Sequence, residues 1–325
     1  MADDVVTLTA NPSVDRTIGL TAALERGEVQ RAGQVTEQAG GKGLNVAKVL
    51  AGAGVAVASL APAIDDRYRR LAAEGPAVRL LAGALPAGQR VRINTAVTEP
   101  DGTTTKINER GVAPRAGDLA AVAEWLFELS AGARWVVLSG SLPPGAPVDW
   151  YPRLARPLGC KVAVDTSGPY LKAVVDALSE VPIDLLKPNS DELAELTGGD
   201  AAAFEAAAAR GEVDEITAAA RGLVAAGVAN VLVTLGGSGA VLVNRAGAWF
   251  APSPEIAVRS TVGAGDSAVA GFVLADLRGE GPAGCLANAV AYGSAAAALP
   301  STTLPTPAHA GPLRPAVIAV EPARA

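Results

Sequence analysis

The stretch STVGAGDSAVAGF, residues 260–272, places two glycines and an acid in the turn Gly263-Ala264-Gly265-Asp266. Glycines before a helix let backbone N–H groups converge on an anion. A carboxylate beside such an anion hole would repel a phosphate unless it were there to accept a proton. The turn therefore suggests a base for phosphoryl transfer, although a lone Asp at this position more often only complements the helix dipole.

Two familiar nucleotide motifs explain these glycines poorly. Residues 263–268 satisfy the relaxed dinucleotide pattern Gly-x-Gly-x-x-Gly/Ala, but that pattern needs a following strand that ends in an acid, and here Ala-rich helical patterns follow. The only Gly-Lys pair is followed by Gly43, so there is no P-loop, and the protein-kinase signatures are also missing.

Other polar residues have both a structural and a chemical interpretation. Asn189 and Glu192 in NSDE have the spacing of a helix capping box, and their oxygens also suit a hard cation. The glycines of TLGGSGA fit a hairpin turn. Lys42 opens a predicted helix, where a cation is mildly unfavourable, so a purely stabilising role is poorly supported.

The elements that must position these residues alternate along the chain. Apolar, β-rich runs such as VVTLTA, WVVLSGS and NVLVTLGG are separated by helical patterns, which predicts a doubly wound α/β fold with a mainly parallel sheet and helices on both faces. Residues 14–38 and 91–110 alternate apolar and polar positions without helices, which predicts a small inserted β-sheet lid. The α/β domain would then comprise residues 1–13, 39–90 and 111–325.

Composition excludes several classes of protein. Cys160 and Cys285 are the only cysteines and His309 is the only histidine, which is too few for a disulfide framework or a zinc site. The net charge of −6 offers no basic stripe for nucleic acid, and an anionic ligand must be held by a few local cations. The start MADDVVTLTA lacks the regions of a signal peptide, and no stretch is apolar enough to span a bilayer. We therefore expect a cytoplasmic protein without nucleic-acid or membrane partners.

Eight motifs in order resemble the ribokinase-type (PfkB) carbohydrate kinases, and most closely their 1-phosphofructokinase and tagatose-6-phosphate kinase branch. The most specific pair is STVGAGDS with KPNSDEL. The others are TANPSVD, GGKGLNVA, VRIN, SGSLPPG, VDTSG and TLGGSGA, so the resemblance covers nearly the whole chain. It implies a doubly wound α/β domain, a β lid that often joins two subunits as a homodimer, and ATP with Mg²⁺ as the phosphoryl donor.

On the donor side, the resemblance implies a role for each matching residue. Asp266 would be the base that takes the sugar hydroxyl's proton, with Gly263, Ala264 and Gly265 forming the anion hole. Asn189 and Glu192 would help organise Mg²⁺, often through water, and Lys187 would point toward the donor phosphates. The nucleotide site would be lined by Thr234, Gly236 and Gly239, with Asn288 near adenine.

On the acceptor side, Asp15, Gly41 and Asn45 match positions that hold sugar hydroxyls. The pattern around Lys42 also occurs in kinases of unphosphorylated sugars, so Lys42 does not by itself indicate a phosphosugar. Arg92 on the lid could hold a phosphate in fork geometry. Ser139 lies at the carboxyl end of a predicted strand, where open α/β sheets bind ligands. One departure concerns PAIDDRYRRLAAEG, which keeps Asp65 and Asp66 without the flanking glycines common in relatives.

The resemblance implies phosphorylation of a ketohexose phosphate, with fructose 1-phosphate converted to fructose 1,6-bisphosphate as the first expectation. Tagatose 6-phosphate and fructose 6-phosphate are the alternative acceptors. An alternative of another class is a catalytically silent sensor that binds a nucleotide or a sugar phosphate.

Overall fold

The computed structural model describes residues 3–300 and 303–320. The β-branched and apolar runs form strands throughout these ranges, as their propensity predicts. In chain order the strands are β1 (Val5–Thr9), β2 (Ser13–Leu20), β3 (Ala32–Gly40), β4 (Val57–Ile64), β5 (Arg79–Ala84), β6 (Arg92–Thr98), β7 (Thr104–Asn108), β8 (Trp135–Ser139), β9 (Lys161–Asp165), β10 (Ile183–Leu186), β11 (Val228–Thr234), β12 (Ala240–Asn244), β13 (Gly247–Ala251) and β14 (Ile318–Ala319).

The helices occupy the Ala- and Leu-rich segments between these strands. In chain order they are α1 (Lys42–Gly52), α2 (Asp66–Ala72), α3 (Ala116–Ser130), α4 (Trp150–Ala155), α5 (Gly168–Asp176), α6 (Ser190–Thr197), α7 (Ala201–Ala209), α8 (Asp214–Ala226), α9 (Ala264–Leu277), α10 (Pro282–Ala298) and α11 (Pro307–Ala310). Among the described residues, none of these helices combines the length and apolar character needed to cross a bilayer.

Ten strands form one large sheet in the order β14-β13-β12-β11-β10-β9-β8-β1-β4-β5. The seven strands from β11 to β5 in that order pair in parallel, and β12, β13 and β14 complete the edge antiparallel. The predicted mainly parallel sheet is therefore confirmed.

Alternate residues of the central strands pack on opposite faces of this sheet. On β8, Val136 and Leu138 join the cluster that also holds the buried side chains of α3 to α8. Trp135 and Val137 instead join a second cluster with the buried faces of α1, α9 and α10. This two-residue period explains why β8 reads as a continuous apolar run, because both of its faces are buried. The predicted helices on both faces are confirmed as well.

A separate four-stranded sheet has the order β3-β2-β6-β7. Strand β2 pairs antiparallel with β3 and parallel with β6, and β6 pairs antiparallel with β7. These strands fall on the two segments for which the sequence predicts a lid, and we call this four-stranded sheet the lid. The division of the chain into two domains at those boundaries stays a prediction.

Helix α2 joins the large sheet to the lid. The carboxylate of Asp65 accepts a hydrogen bond from the backbone N–H of Tyr68 at 2.7 Å and another from Val91 at 2.8 Å. The buried Tyr68 hydroxyl donates to the Gly40 carbonyl at 2.9 Å. The segment that lacks the flanking glycines of relatives thus begins a side-chain-capped helix, and the same cap holds the start of β6.

Candidate active site

A cleft of about 570 Å³ lies between the lid and the carboxyl ends of the parallel strands. Polar residues lie at or directly after the ends of neighbouring strands: Ser139 on β8, Asp165 on β9 and Lys187 after β10. This is the edge of an open α/β sheet at which ligands bind. The cleft brings together twelve of the residues singled out in the sequence, namely Asp15, Gly41, Lys42, Asn45, Arg92, Ser139, Lys187, Asn189, Glu192, Gly263, Gly265 and Asp266.

Asp266 lies in the first turn of α9, whose N-cap is Gly263 with φ of 79°. A left-handed residue is needed there for the chain to enter the helix, which glycine adopts without strain. The Asn45 amide donates a hydrogen bond of 2.8 Å to Oδ2 of Asp266. Burial raises the pKa of Asp266 to about 6, although Lys42 acts in the opposite direction. A carboxylate with this pKa is a competent proton acceptor near neutral pH.

Asp165 is a central residue of the site that sequence reasoning missed. Its side chain is 1% exposed, and its Oδ1 forms ion pairs with Lys42 Nζ at 3.0 Å and with Lys187 Nζ at 3.3 Å. Burial alone would raise the pKa of Asp165, but the two lysines hold it below its usual value. The motif VDTSG, with an acid at the end of a buried strand, was the available signal.

The two lysines connect Asp165 to other parts of the site: Lys187 lies beside the glycine turn, and Lys42 lies beside Asp266 and Glu192. Lys187 is buried, and a Cβ placed on Gly265 would lie 3.6 Å from its Nζ, so the ammonium group lies beside the glycine turn. Burial alone would lower the pKa of Lys42, but the carboxylates of Asp165, Asp266 and Glu192 raise it above its usual value. Lys42 therefore stays charged beside the carboxylate of Asp266.

The lid supplies the wall opposite Asp266. Asp15 on β2 accepts hydrogen bonds from the Ser13 hydroxyl at 2.8 Å and from the Asn94 amide at 3.1 Å. Burial raises the pKa of this carboxyl, while both hydrogen bonds act to lower it. Asn94, which the sequence reasoning also missed, has a buried Oδ1 without a hydrogen-bond partner among the described residues. Together they offer paired acceptors to the hydroxyl groups of a polyol.

Arg92 at the start of β6 is held by backbone carbonyls and not by an acid. Its Nη1 donates to the Glu109 carbonyl at 3.2 Å, and its Nη2 donates to the Asn11 carbonyl at 3.0 Å. Burial lowers the pKa of the guanidinium, and its Nε has no partner among the described residues. The side chain is thus fixed in place with N–H groups left over for a ligand.

Gly41 and Ser139 border the floor of the cleft. Gly41 is the N-cap of α1, with φ of 117°, and directly precedes Lys42. Ser139 is buried, and its hydroxyl has no hydrogen-bond partner among the described residues. That hydroxyl is available to a bound molecule.

Asn189 and Glu192 form the capping box that their spacing suggests. The Asn189 side chain accepts from the Glu192 N–H at 2.7 Å, and Glu192 Oε2 accepts from the Asn189 N–H at 2.9 Å. Both residues also border the cleft, and burial raises the pKa of Glu192. Since the box uses one oxygen of Glu192, the structural role leaves its other oxygen for a cation or a water molecule.

A second cavity, of about 480 Å³, continues from the other side of the glycine turn. Thr234, Gly236, Gly239 and Ala264 border this cavity, whose remaining wall is largely apolar. Thr261 and Gly265 border both cavities, which therefore meet next to Asp266. Asn288 is not brought to either of them: it is buried between α9 and α10, and its amide donates to the Gly271 carbonyl at 2.6 Å.

Comparisons with known proteins agree with this arrangement. Residues 8–309 match the family model described as pfkB family carbohydrate kinase. The chain is 40% identical to the 1-phosphofructokinase of Rhodobacter capsulatus, over 83% of this chain and 82% of that protein. Phosphofructokinase-2 from Escherichia coli, solved with fructose-6-phosphate, superposes with a TM-score of 0.82 at 26% identity, covering 96% of this chain and 98% of the other. Its tetrameric inhibited form gives a TM-score of 0.81, also at 26% identity and over the same shares.

Proposed function

The chain belongs to the pfkB family of carbohydrate kinases, and on that premise we propose that it phosphorylates fructose 1-phosphate to fructose 1,6-bisphosphate with ATP. The relative from Rhodobacter capsulatus, named 1-phosphofructokinase, supports this acceptor. The same comparisons make the chain a sugar-phosphate kinase, as the sequence motifs predict.

The observation that carries this proposal is the junction of the two cavities at Asp266. A polar cleft suits a sugar, and a largely apolar cavity suits a nucleotide base; both are bordered by Thr261 and Gly265. The glycine turn between them is the place where a phosphoryl group would pass from donor to acceptor. Phosphoryl transfer requires mainly such positioning and charge stabilisation.

In this geometry Asp266 accepts the proton of the attacking sugar hydroxyl. Asn45 holds one oxygen of Asp266 through its amide, which leaves the other oxygen for the hydroxyl. Backbone N–H groups of the turn 263–265 stabilise the charge on the moving phosphoryl group, and the adjacent ammonium of Lys187 adds to that stabilisation. Asp15 and Asn94 orient the sugar from the lid.

The residues present fit an Mg²⁺ ion that accompanies ATP. Glu192 and Asn189 present carboxylate and amide oxygens at the cleft, which are suitable hard ligands. Within the described ranges no three acidic, histidine or cysteine side chains cluster as a metal site, so the ATP phosphates and water would supply the remaining ligands. When bound, the metal neutralises charge on the donor phosphates.

We also propose that the lid joins two copies of this chain. On the lid face away from the cleft, Ile18 pairs with Val35 on one side and with Val97 on the other, and Ile107 lies next to this row on β7. Val35 is 53% exposed and Ile107 is 62% exposed. Helix α2 packs on the base of this face, where Tyr68 clusters with Val14 and Ile93, but Val35 and Ile107 stay exposed in the described part of the chain, so a second lid is the simplest partner for them. A cytoplasmic location is part of the same proposal.

An ATP-consumption assay with a panel of acceptors tests the proposed function. The panel contains fructose 1-phosphate, fructose 6-phosphate, tagatose 6-phosphate and unphosphorylated fructose. We expect the highest kcat/KM with fructose 1-phosphate. Preference for another ketohexose phosphate would reassign the acceptor, preference for fructose would overturn the phosphosugar assignment, and ATP binding without turnover on any acceptor would indicate a sensor.

A further inference from the structure

The cleft-facing side chains of the lid form three rows across its strands. Strand pairing places Ser13 beside Arg92 in the row nearest the base of the lid. The next row contains Asp15, Asn94 and Asn108. The third contains Thr17, Ala96 and Lys106. Because side chains alternate along a strand, all of these project to one face, and all of them border the cleft.

Lys106 differs from Arg16 and Arg92, the other cations on the lid strands, because its ammonium group contacts no ion-pair or hydrogen-bond partner in the described ranges. Arg16 pairs with Glu37 at 2.8 Å, and Arg92 donates to two backbone carbonyls. Lys106 is exposed, and within the described ranges it makes neither an ion pair nor a hydrogen bond. A lysine left in this state at the wall of a substrate cleft has its full charge available to a ligand.

The acid of the middle row restricts where a dianionic phosphate can bind. Asp15 repels a phosphate but can accept sugar hydroxyl groups, so the phosphate must lie toward a neighbouring row. Rows are about 7 Å apart, given a rise of about 3.4 Å per residue, which is within the reach of a lysine side chain. Lys106 therefore extends to the space beside a sugar held on Asp15 and Asn94.

We propose that Lys106 binds the phosphate that the acceptor sugar already carries and thereby selects phosphorylated over neutral ketohexoses. This inference rests on the proposed function, because it assumes a sugar-phosphate acceptor. The protein has a net charge of −6, so the negative charge of the phosphate must be balanced locally. Arg92, which backbone carbonyls hold in place, and Lys106, whose ammonium group is on a flexible side chain, would together balance it. Ala96, which lies beside Lys106 in its row, leaves room for such a group.

The test compares Lys106→Ala with wild type, using fructose 1-phosphate and fructose as acceptors. Losing a charge-assisted hydrogen bond should raise KM for fructose 1-phosphate roughly tenfold or more. KM for ATP and kcat should change less than about twofold, since Lys106 touches neither the donor nor the reacting hydroxyl. KM for fructose should stay the same, and Lys106→Arg should recover most of the loss.

Lys172→Ala is the matched control, because it removes the same charge from an exposed lysine that pairs with Asp176 outside the cleft. We expect this variant to behave as wild type. An unchanged KM for fructose 1-phosphate in Lys106→Ala, or equal losses on fructose and its phosphate, would overturn the role of Lys106 and leave the proposed function intact. Wild-type protein inactive on every phosphosugar would overturn both.

Discussion

At the residue scale, the site is a small group of charged side chains that lie close together in a largely buried space. Asp266, Asp165 and Lys187 are each at least nine-tenths buried, and Lys42 is partly exposed beside them. The burial that raises the pKa of Asp266 makes this carboxylate a stronger base than an exposed one, which suits the proposed role as proton acceptor. Lys187 and the partly exposed Lys42 offset the repulsion between the carboxylates of Asp165 and Asp266.

The sequence pointed to Asp266 and its glycine turn as part of the site but not to the network around them. Asp266 and its turn have a local pattern that can be read from the printed residues. Asp165 is brought to Lys42 and Lys187 only by the folding of β9 against its neighbours, and Asn94 meets Asp15 only through strand pairing. Asn288, chosen from the resemblance, is separated from both cavities by the packing of α9 on α10.

Asp165→Asn should lower the stability of the protein and weaken the binding of both substrates. Removing this charge leaves Lys187 buried without its counter-ion, and unfolding free energy should fall by about 3 kcal/mol, the low end for a broken buried pair, because Lys42 is 37% exposed. Chemical denaturation measures that loss. KM for ATP and for the sugar phosphate should both rise, since the two lysines lose their common anchor.

The matched control for this variant is Asp176→Asn, which breaks the exposed pair with Lys172. An exposed pair contributes less than about 1 kcal/mol, so we expect little change in stability and none in KM. If Asp165→Asn were as stable and as active as this control, the assignment of Asp165 as the anchor of both lysines would be wrong.

At the element scale, the strands could be predicted where one pattern of apolar and polar residues runs through a whole segment. Continuous apolar runs gave the buried parallel strands, and alternating residues gave the lid strands. The glycines of TLGGSGA indicated the antiparallel pair of β11 and β12, whereas β14 was harder to foresee, because it is a two-residue strand that pairs with β13 through tertiary contact. The glycines at the start of α9 form a pattern that the sequence shows, but only the fold shows that Gly265 borders both cavities.

The two glycines of this turn should respond differently to substitution by alanine. Gly263→Ala places a Cβ on a residue with φ of 79°, which should cost roughly 1–2 kcal/mol of unfolding free energy. Gly265 lies within α9, and a Cβ there meets only ordinary contacts with Lys187 at 3.6 Å. Gly265→Ala should therefore keep or slightly raise stability. Thermal unfolding compares them, and equal losses would contradict the left-handed cap.

At the scale of the whole molecule, the proposed dimer depends on the exposed apolar side chains of the lid. Replacing Ile107 with Asp places a charge beside the exposed apolar side chains of the lid and should convert a dimer to a monomer. Light scattering at micromolar concentration measures the mass, and Val148→Asp, at a residue 49% exposed outside the lid, is the matched control. A wild-type monomer with full activity would rule out the lid as a subunit interface.

The proposed mechanism requires Asp266 to accept the hydroxyl proton in ATP-dependent phosphorylation of fructose 1-phosphate. The most direct test is kcat of Asp266→Asn against wild type with this acceptor, together with binding of both substrates. The amide keeps the shape of the side chain but cannot take the proton, so kcat should fall by roughly 10²–10⁴ while both substrates still bind. Wild-type activity should also decline as pH falls through about 6, as Asp266 becomes protonated. Turnover by Asp266→Asn close to that of wild type would exclude Asp266 as the proton acceptor.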